Sequence, residues 1–256
     1  MSKKIADYIN GNVHIELYSD GTRIMETQDD EFSFEYPTNV DMTITHKCTN
    51  ECPYCYLGCN SQGKHADLMN VPFLNTLKSG QELAINLNNC DHPQLVEFLE
   101  KMRGERVFVN GTINQADFEK HYDLIKKLSA DKLIWGIGVS LNKPTEKFVE
   151  MVRGIPNVVV HVINGIFSAD DIEVLRGHHI KLLILGYKNI GRGEGYIEKN
   201  NLTVKARQRY LKDVLSTLFN HFDVISFDNL ALEQLDVKSV VSEKDWNKFY
   251  QGDEGS

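Results

Sequence analysis

The sequence predicts an α/β protein, a partial (β/α) barrel carrying an N-terminal β-hairpin. Three observations point there. Short apolar strand-like runs recur between helix-period segments from residue 40 to residue 228, and strands alternating with helices argue for a parallel sheet. An Asp20-Gly21 pair divides two alternating runs near the start of the chain, and Asp-Gly suits the positive φ angles of a tight hairpin turn. Polar residues collect at the C-terminal ends of several predicted strands, where an α/β barrel keeps its functional groups.

The hairpin is predicted over 12–27, with His14-Ile15-Glu16-Leu17-Tyr18 before the turn and Arg23-Ile24-Met25-Glu26 after it. An acidic connector, 28–31, leads to a first barrel strand at 40–46. Further strands are predicted at 82–87, 106–113, 133–140, 157–164, 180–187 and 223–227. Between them, 92–102 places apolar residues at 95, 96, 98, 99 and 102 on one helix face. Helices follow at 116–128, 145–152, 169–175 and 202–219, with Ser168 as a cap and Gly177 as a stop for the 169–175 helix. Helical pieces close the chain over 229–256. Six or seven strand–helix units make a barrel or a partial barrel. With no linker and no internal repeat, the reading is one domain over 1–256 with its barrel core at 40–228.

A chain of 256 residues with 41% hydrophobic content can bury a sizeable core. Its net charge of −8 argues against a global attraction to nucleic acid. The stretch Met1-Ser2-Lys3-Lys4-Ile5-Ala6-Asp7 has no apolar signal core, and no apolar run approaches membrane-spanning length. The expectation is a cytoplasmic protein without a membrane partner. Five cysteines is an odd count and fits free thiols better than a disulfide framework.

Three of those cysteines stand at spacing C-x3-C-x2-C in His46-Lys47-Cys48-Thr49-Asn50-Glu51-Cys52-Pro53-Tyr54-Cys55, directly after the first barrel strand. Three thiolates on one short loop make a site for a soft metal centre. A cubic iron–sulfur cluster closed by protein takes four thiolates, so three leave one iron open. Cys59 adds a fourth thiol nearby. Structural zinc or a closed electron-transfer cluster therefore remain as readings, although zinc sites usually pair two Cys-x2–4-Cys units set well apart.

Strand alternation turns a set of polar side chains toward the barrel lumen. Val107, Val109 and Ile113 form the helix-facing set of their strand, which leaves Asn110, Thr112 and Asn114 inside. Asn86 and Asn88 point inward from the second strand, Thr43 and Thr45 from the first, and Ser140 ends the fourth. Buried polar groups require partners, either a polar ligand or ordered water with mutual hydrogen bonds. Gly186 to Gly195 is a glycine-rich turn without the Walker pattern, read as a flexible loop or as one closing over a ligand. Lys188 or Arg192 within it offers a cation to a carboxylate. His161 reads as a satisfied core histidine, His178-His179 as exposed, and Cys90 as structural. Asp228 serves either the lumen or the cap of the following turn.

The C-x3-C-x-aromatic-C loop after a first strand resembles the signature of the radical S-adenosylmethionine (SAM) superfamily. A broader likeness to small radical SAM proteins of bacteria and phages runs from the Asp20-Gly21 hairpin to Ser226-Phe227-Asp228-Asn229-Leu230-Ala231. The resemblance implies a radical SAM-type partial barrel in which Cys48, Cys52 and Cys55 hold a [4Fe–4S] cluster and Cys59 does not. It implies SAM on the open iron, reductive cleavage to a 5′-deoxyadenosyl radical acting on a substrate that remains unknown, and an electron donor such as flavodoxin or ferredoxin. The alternative is a non-catalytic iron–sulfur or zinc protein on the same fold. Carried over by position, Tyr54 lies under the adenine. Ser140 and Asn142 match the ribose and carboxylate contacts, and Asn164 matches another SAM-facing position. The family binds the SAM amino group through a Gly-Gly-Glu-like segment. Here Asn86-Leu87-Asn88-Asn89-Cys90 stands in its place, so Asn86 and Asn88, beside Asn110 in the lumen, are the expected acceptors.

Overall fold

The computed structural model describes residues 2–250; the end of the predicted C-terminal helical region, 251–256, lies outside the described residues. Seven parallel strands form one curled sheet, a half-barrel, in the order β10-β9-β8-β7-β6-β5-β4. They are β4 (Asn39–Met42), β5 (Glu82–Asn86), β6 (Phe108–Asn114), β7 (Gly136–Ser140), β8 (Val158–Ile163), β9 (Lys181–Leu185) and β10 (Val224–Phe227). Each strand pairs with its predecessor in sequence, as repeated strand–helix units produce.

The outer face of this sheet is apolar because its alternation is strict. Leu83 and Ile85, Val109 and Ile113, Ile137 and Val139, and Val158, Val160 and Val162 are all buried in one core. Against them pack Phe98 and Met102 of α1 (Leu95–Gly104), Phe118 of α2 (Gln115–Lys120) and Ile125 of α3 (Tyr122–Ala130). Phe148 and Val152 of α4 (Glu146–Arg153), Leu175 of α5 (Ala169–Leu175) and Leu215 of α6 (Arg192–Leu218) continue the layer. Truncating a fully buried phenylalanine here costs about 3–5 kcal/mol. A capping box joins Ser168 and Asp171 at the start of α5. Asp228 resolves to a cap: its carboxylate accepts from Ala231 N of α7 (Asn229–Leu235) at 2.7 Å and from Gly186 N at 2.8 Å. A short α8 (Glu243–Phe249) closes the described chain.

One expectation is corrected at the N-terminus. The hairpin, β2 (Val13–Tyr18) and β3 (Arg23–Glu26), is joined by an additional strand, β1 (Lys4–Asn10), into a three-stranded antiparallel sheet. This sheet lies under the N-terminal ends of the strands. Asn157 Nδ2 donates to Ser19 O at 2.6 Å, Lys181 Nζ to Asp20 O at 2.8 Å, and Arg23 sits 3.6 Å from Glu82. Ala6 and Leu17 form a small second core with Phe108.

Two helices also differ from expectation. The helix predicted over 116–128 is broken at His121 into α2 and α3. The one predicted at 202–219 is present, but a further helical segment from Arg192 precedes it, joined across a kink at Asn200 (φ −121°, ψ 20°). Gly193 and Gly195 disfavour a helix there by propensity, but tertiary contacts described below hold its first turn. Among the described residues no helix is long and apolar enough to cross a membrane.

Candidate metal centre

Residues 46–63 form no strand or helix, and a bridge between Lys47 and Asn60 with a few turn bonds pairs only part of their backbone, so the remaining polar groups need other partners. Side chains supply them. Asn86, the last residue of β5, accepts from Ile44 N at 2.8 Å and donates to Thr45 O at 2.6 Å. Asn88, at φ +44°, donates to Lys47 O at 2.8 Å, and its own Oδ1 accepts from Asn86. Asn89 accepts from Thr49 N at 2.9 Å and donates to Thr49 Oγ1 and to Asp117. Asp117, buried at the start of α2, also accepts from Asn50.

The other side of the loop is held by the start of α6. Arg192 donates from Nε to Cys52 O and from Nη2 to Cys59 O, both at 2.9 Å, and from its backbone N to Cys55 O at 3.2 Å. Gly191 makes this approach possible. It sits at φ +57°, and a Cβ there would lie 2.4 Å from Tyr56 O. The glycine-rich segment is thus neither a free loop nor a flap but a clamp.

Between these two supports the four thiols of Cys48, Cys52, Cys55 and Cys59 face one cavity of about 310 Å³. Burial, then the neighbouring Cys48 and Cys55, pushes the Cys52 thiol up. Metal binding must displace that proton. Asn50 Nδ2 and Asn114 Nδ2 each reach a sulfur, Cys48 Sγ and Cys52 Sγ respectively, at 3.7 Å. Cys59 is the most enclosed of the four, its Sγ 4.0 Å from Thr45 O.

The donor set can be tested against the candidate metals. A tetrahedral zinc site with Zn–S near 2.3 Å sets its sulfurs about 3.8 Å apart. Among the described residues no three cysteine sulfurs gather within 4.8 Å of one another. The cysteines are therefore not gathered as a closed tetrahedral zinc site gathers them. Asp7, His14 and Glu16 do gather that closely, on the N-terminal sheet, but Lys4 already bridges Asp7 and Glu16 at 2.5 and 2.8 Å.

Of the remaining predicted site residues, Tyr54, Asn86, Asn88 and Ser140 line the cysteine cavity. Burial pushes the Tyr54 phenol up to about 12, and its ring meets Tyr196 edge-to-face. Four others are elsewhere. Asn110 lines a separate lower cavity and donates to Glu82 at 2.9 Å. Asn142 is exposed and pairs amide-to-amide with Asn114. Asn164 is buried but donates to Gln234 of α7, away from the cysteines. Lys188 is exposed, its ammonium 4.3 Å over the Tyr56 ring. His161 is also corrected. Far from a satisfied core histidine, it borders both cavities, and its Nδ1 is buried without a hydrogen-bond partner. Asn50, Asp117 and the clamping role of Arg192 carried no sequence signal, since each acts through a contact far along the chain. No protein-family profile and no curated protein sequence matches the chain.

Proposed function

We propose that the chain is a radical SAM-type enzyme holding one [4Fe–4S] cluster through Cys48, Cys52 and Cys55. The observation that carries this reading is the set of cysteines, not gathered as a closed zinc site would be, that follows the edge strand β4 and lines a cavity of about 310 Å³. When bound, such a cluster supplies an open iron for SAM and the electron that cleaves it.

The chain's own residues do the positioning. Asn86, Asn88 and Asn89 fix the loop from β5, and Arg192 fixes it from α6. Their neutral and charge-assisted bonds hold the cysteine backbone in place before any cofactor arrives. Asn50 and Asn114 donate toward sulfur, which stabilises added negative charge on a cluster. Tyr54 offers a ring wall, and Ser140 a hydroxyl, to a polar cofactor in the cavity. The amide oxygens of Asn86 and Asn88 each have one lone pair committed and a second to offer an ammonium group. Low-potential chemistry of this kind needs an electron donor, for which flavodoxin or ferredoxin is the natural class, and a reducing compartment.

One observation favours a second reading. Cys59 faces the same cavity, and a fourth thiolate would close the cluster against SAM and leave a non-catalytic iron–sulfur protein. Anaerobic reconstitution decides. About four irons and four sulfides per chain, with 5′-deoxyadenosine released on reduction with SAM, is expected. Iron without 5′-deoxyadenosine supports the closed centre, and zinc alone overturns both readings.

A further inference from the structure

Below the cysteine cavity the lumen is hollow. Barrel interiors are ordinarily filled by layers of bulky branched side chains. Here β7 brings only Gly136 and Gly138 to the inner face beneath Ser140, and Ala84, Thr112 and Ser226 are small. The result is a cavity of about 670 Å³, within the range of small-molecule sites. Ala84, Thr112 and His161 border this cavity and the cysteine cavity alike. The N-terminal sheet forms its floor through Ile5, Leu17 and Tyr18, and half-exposed Val224 marks its opening at the β10 edge.

His161 is placed where the two cavities meet, and the sequence makes deliberate room for it. A Cβ on Gly138 would lie 2.2 Å from His161 Cε1 and 2.4 Å from Nε2, so the ring occupies the space that any other residue would fill. Nδ1 is buried and unpartnered. A buried N–H without an acceptor is rarer and costlier than an unfilled lone pair, so the proton belongs on Nε2, the nitrogen beside the space that Gly138 clears in the cavity wall. The charged side chains of the lining already have partners, most of them in the lining itself. Glu82 meets Arg23 and Asn110, Lys181 donates to Asp20 O, and Asp20 accepts from Thr22 N.

We infer that the lower lumen is the substrate chamber, and that it takes a compact, uncharged, largely apolar molecule whose carbonyl-type oxygen accepts a hydrogen bond from His161 Nε2. Phe108, Trp135, Val159 and Leu183 supply apolar and aromatic walls. Burial keeps the imidazole neutral by bringing its pKa down to about 4, so it offers no charge to a carboxylate or phosphate. The assignment as substrate rests on the radical SAM-type reading, whereas binding to the chamber requires neither cluster nor SAM.

The full chain, labelled with 15N-histidine, is titrated with acetophenone, with its isostere α-methylstyrene, which replaces the carbonyl oxygen by a methylene, and with benzoate. Acetophenone is expected to move the His161 ring-nitrogen resonances and to bind about five- to tenfold more tightly than α-methylstyrene, the size of one hydrogen bond. Benzoate leaves them unmoved, and His161→Phe removes the preference for the ketone. Unmoved His161 resonances with acetophenone near its solubility limit overturn the inference, as does equal binding of the isostere or of benzoate. If His161→Phe does not fold, the matched pair on the wild-type chain still decides. Loss of 5′-deoxyadenosine formation with a ketone-selective chamber would sink the enzyme reading alone. An indifferent chamber in a SAM-cleaving protein would sink only the inference.

Discussion

At the upper rim of the half-barrel three asparagines, an aspartate and an arginine are directed at the cysteine loop, whereas in the lower lumen the His161 ring stands beside open space with no hydrogen-bond partner. Asn86, Asn88, Asn89, Asp117 and Arg192 each have identified partners in or beside the loop. His161 Nδ1 has none, and the surrounding strands present glycine and other small residues. Saturated polar groups rigidify, and unsaturated ones wait for a partner. The rim is built to fix a set of donor atoms, and the lumen is built to receive something.

The largest effect expected of that division falls on the cysteines. Alanine at Cys48, Cys52 or Cys55 should abolish iron uptake on reconstitution, while Cys59→Ala keeps most of it. Iron and sulfide counts per chain measure this. Equal loss in Cys59→Ala would break the assignment of Cys59 to the scaffold rather than to the centre.

Next comes Arg192, the residue that ties the loop to α6. Two charge-assisted bonds to carbonyls are lost in Arg192→Met, at about 2–4 kcal/mol together once solvent replaces part of them. A lower denaturation midpoint and weaker iron retention are expected, with helix content kept. Arg192→Lys should not rescue, because a point charge cannot serve Cys52 O and Cys59 O in one fork. Full rescue by lysine would show that charge rather than geometry matters there.

Much of this architecture was legible in the sequence. Alternation located the parallel strands and the inward set Asn86, Asn88 and Thr112, and the cysteine spacing located the rim. Alternation could also have turned His161 inward, since Val158, Val160 and Val162 face the helices. Reading it as core histidine weighted composition over period. The tasks of the asparagines were not legible. Asn86 and Asn88 stand at the expected place, but their amides are spent largely on residues 44–47, some forty positions away in sequence. Arg192 escaped because glycines at 193 and 195 conceal a helix start that only docking stabilises. Asn142 and Asn164 were carried over by strand-end position, Asn110 came from alternation and Lys188 from the glycine-rich turn, and none of these fixes the height along a strand or the direction of a side chain beyond its end.

The lumen gives a pH signature that the rim does not. A free imidazole titrates near 6.5, and burial alone holds His161 down to about 4 in the folded chain. The unfolded chain therefore takes up a proton first as pH falls. Stability from this group is fully present above pH 6.5 and is lost progressively as pH falls toward 4. Between pH 7 and pH 5 the loss amounts to about 2 kcal/mol. His92, also lowered by burial, adds in the same direction. Denaturation midpoints for wild type and His161→Phe at the two pH values should converge in the acid. An acid loss identical in both chains would mean that His161 is not enclosed as described.

The smallest effect is the one that sharpens the contrast most, because it asks whether the rim would do more than hold the proposed cluster in place. Asn114 stands at the end of β6, and its Nδ2 lies 3.7 Å from Cys52 Sγ while its amide also pairs with Asn142. A donor aimed at a ligating sulfur stabilises the reduced, more negative cluster, so its removal should make reduction harder. In Asn114→Ala the midpoint potential of the reconstituted centre should fall by on the order of tens of millivolts, a few-fold in the one-electron equilibrium. Asn142→Ala, which only loosens the amide that donates, should shift it less and in the same direction. Potentiometry followed by electron paramagnetic resonance reads both without any substrate. Were Asn114→Ala to leave the potential where it was while Asn142→Ala moved it, the amide pair would be acting on the loop's position and not on the sulfur. The rim would then be scaffold alone, and the tuning of its chemistry would have to come from the enclosure of Cys52 and from its neighbouring thiols.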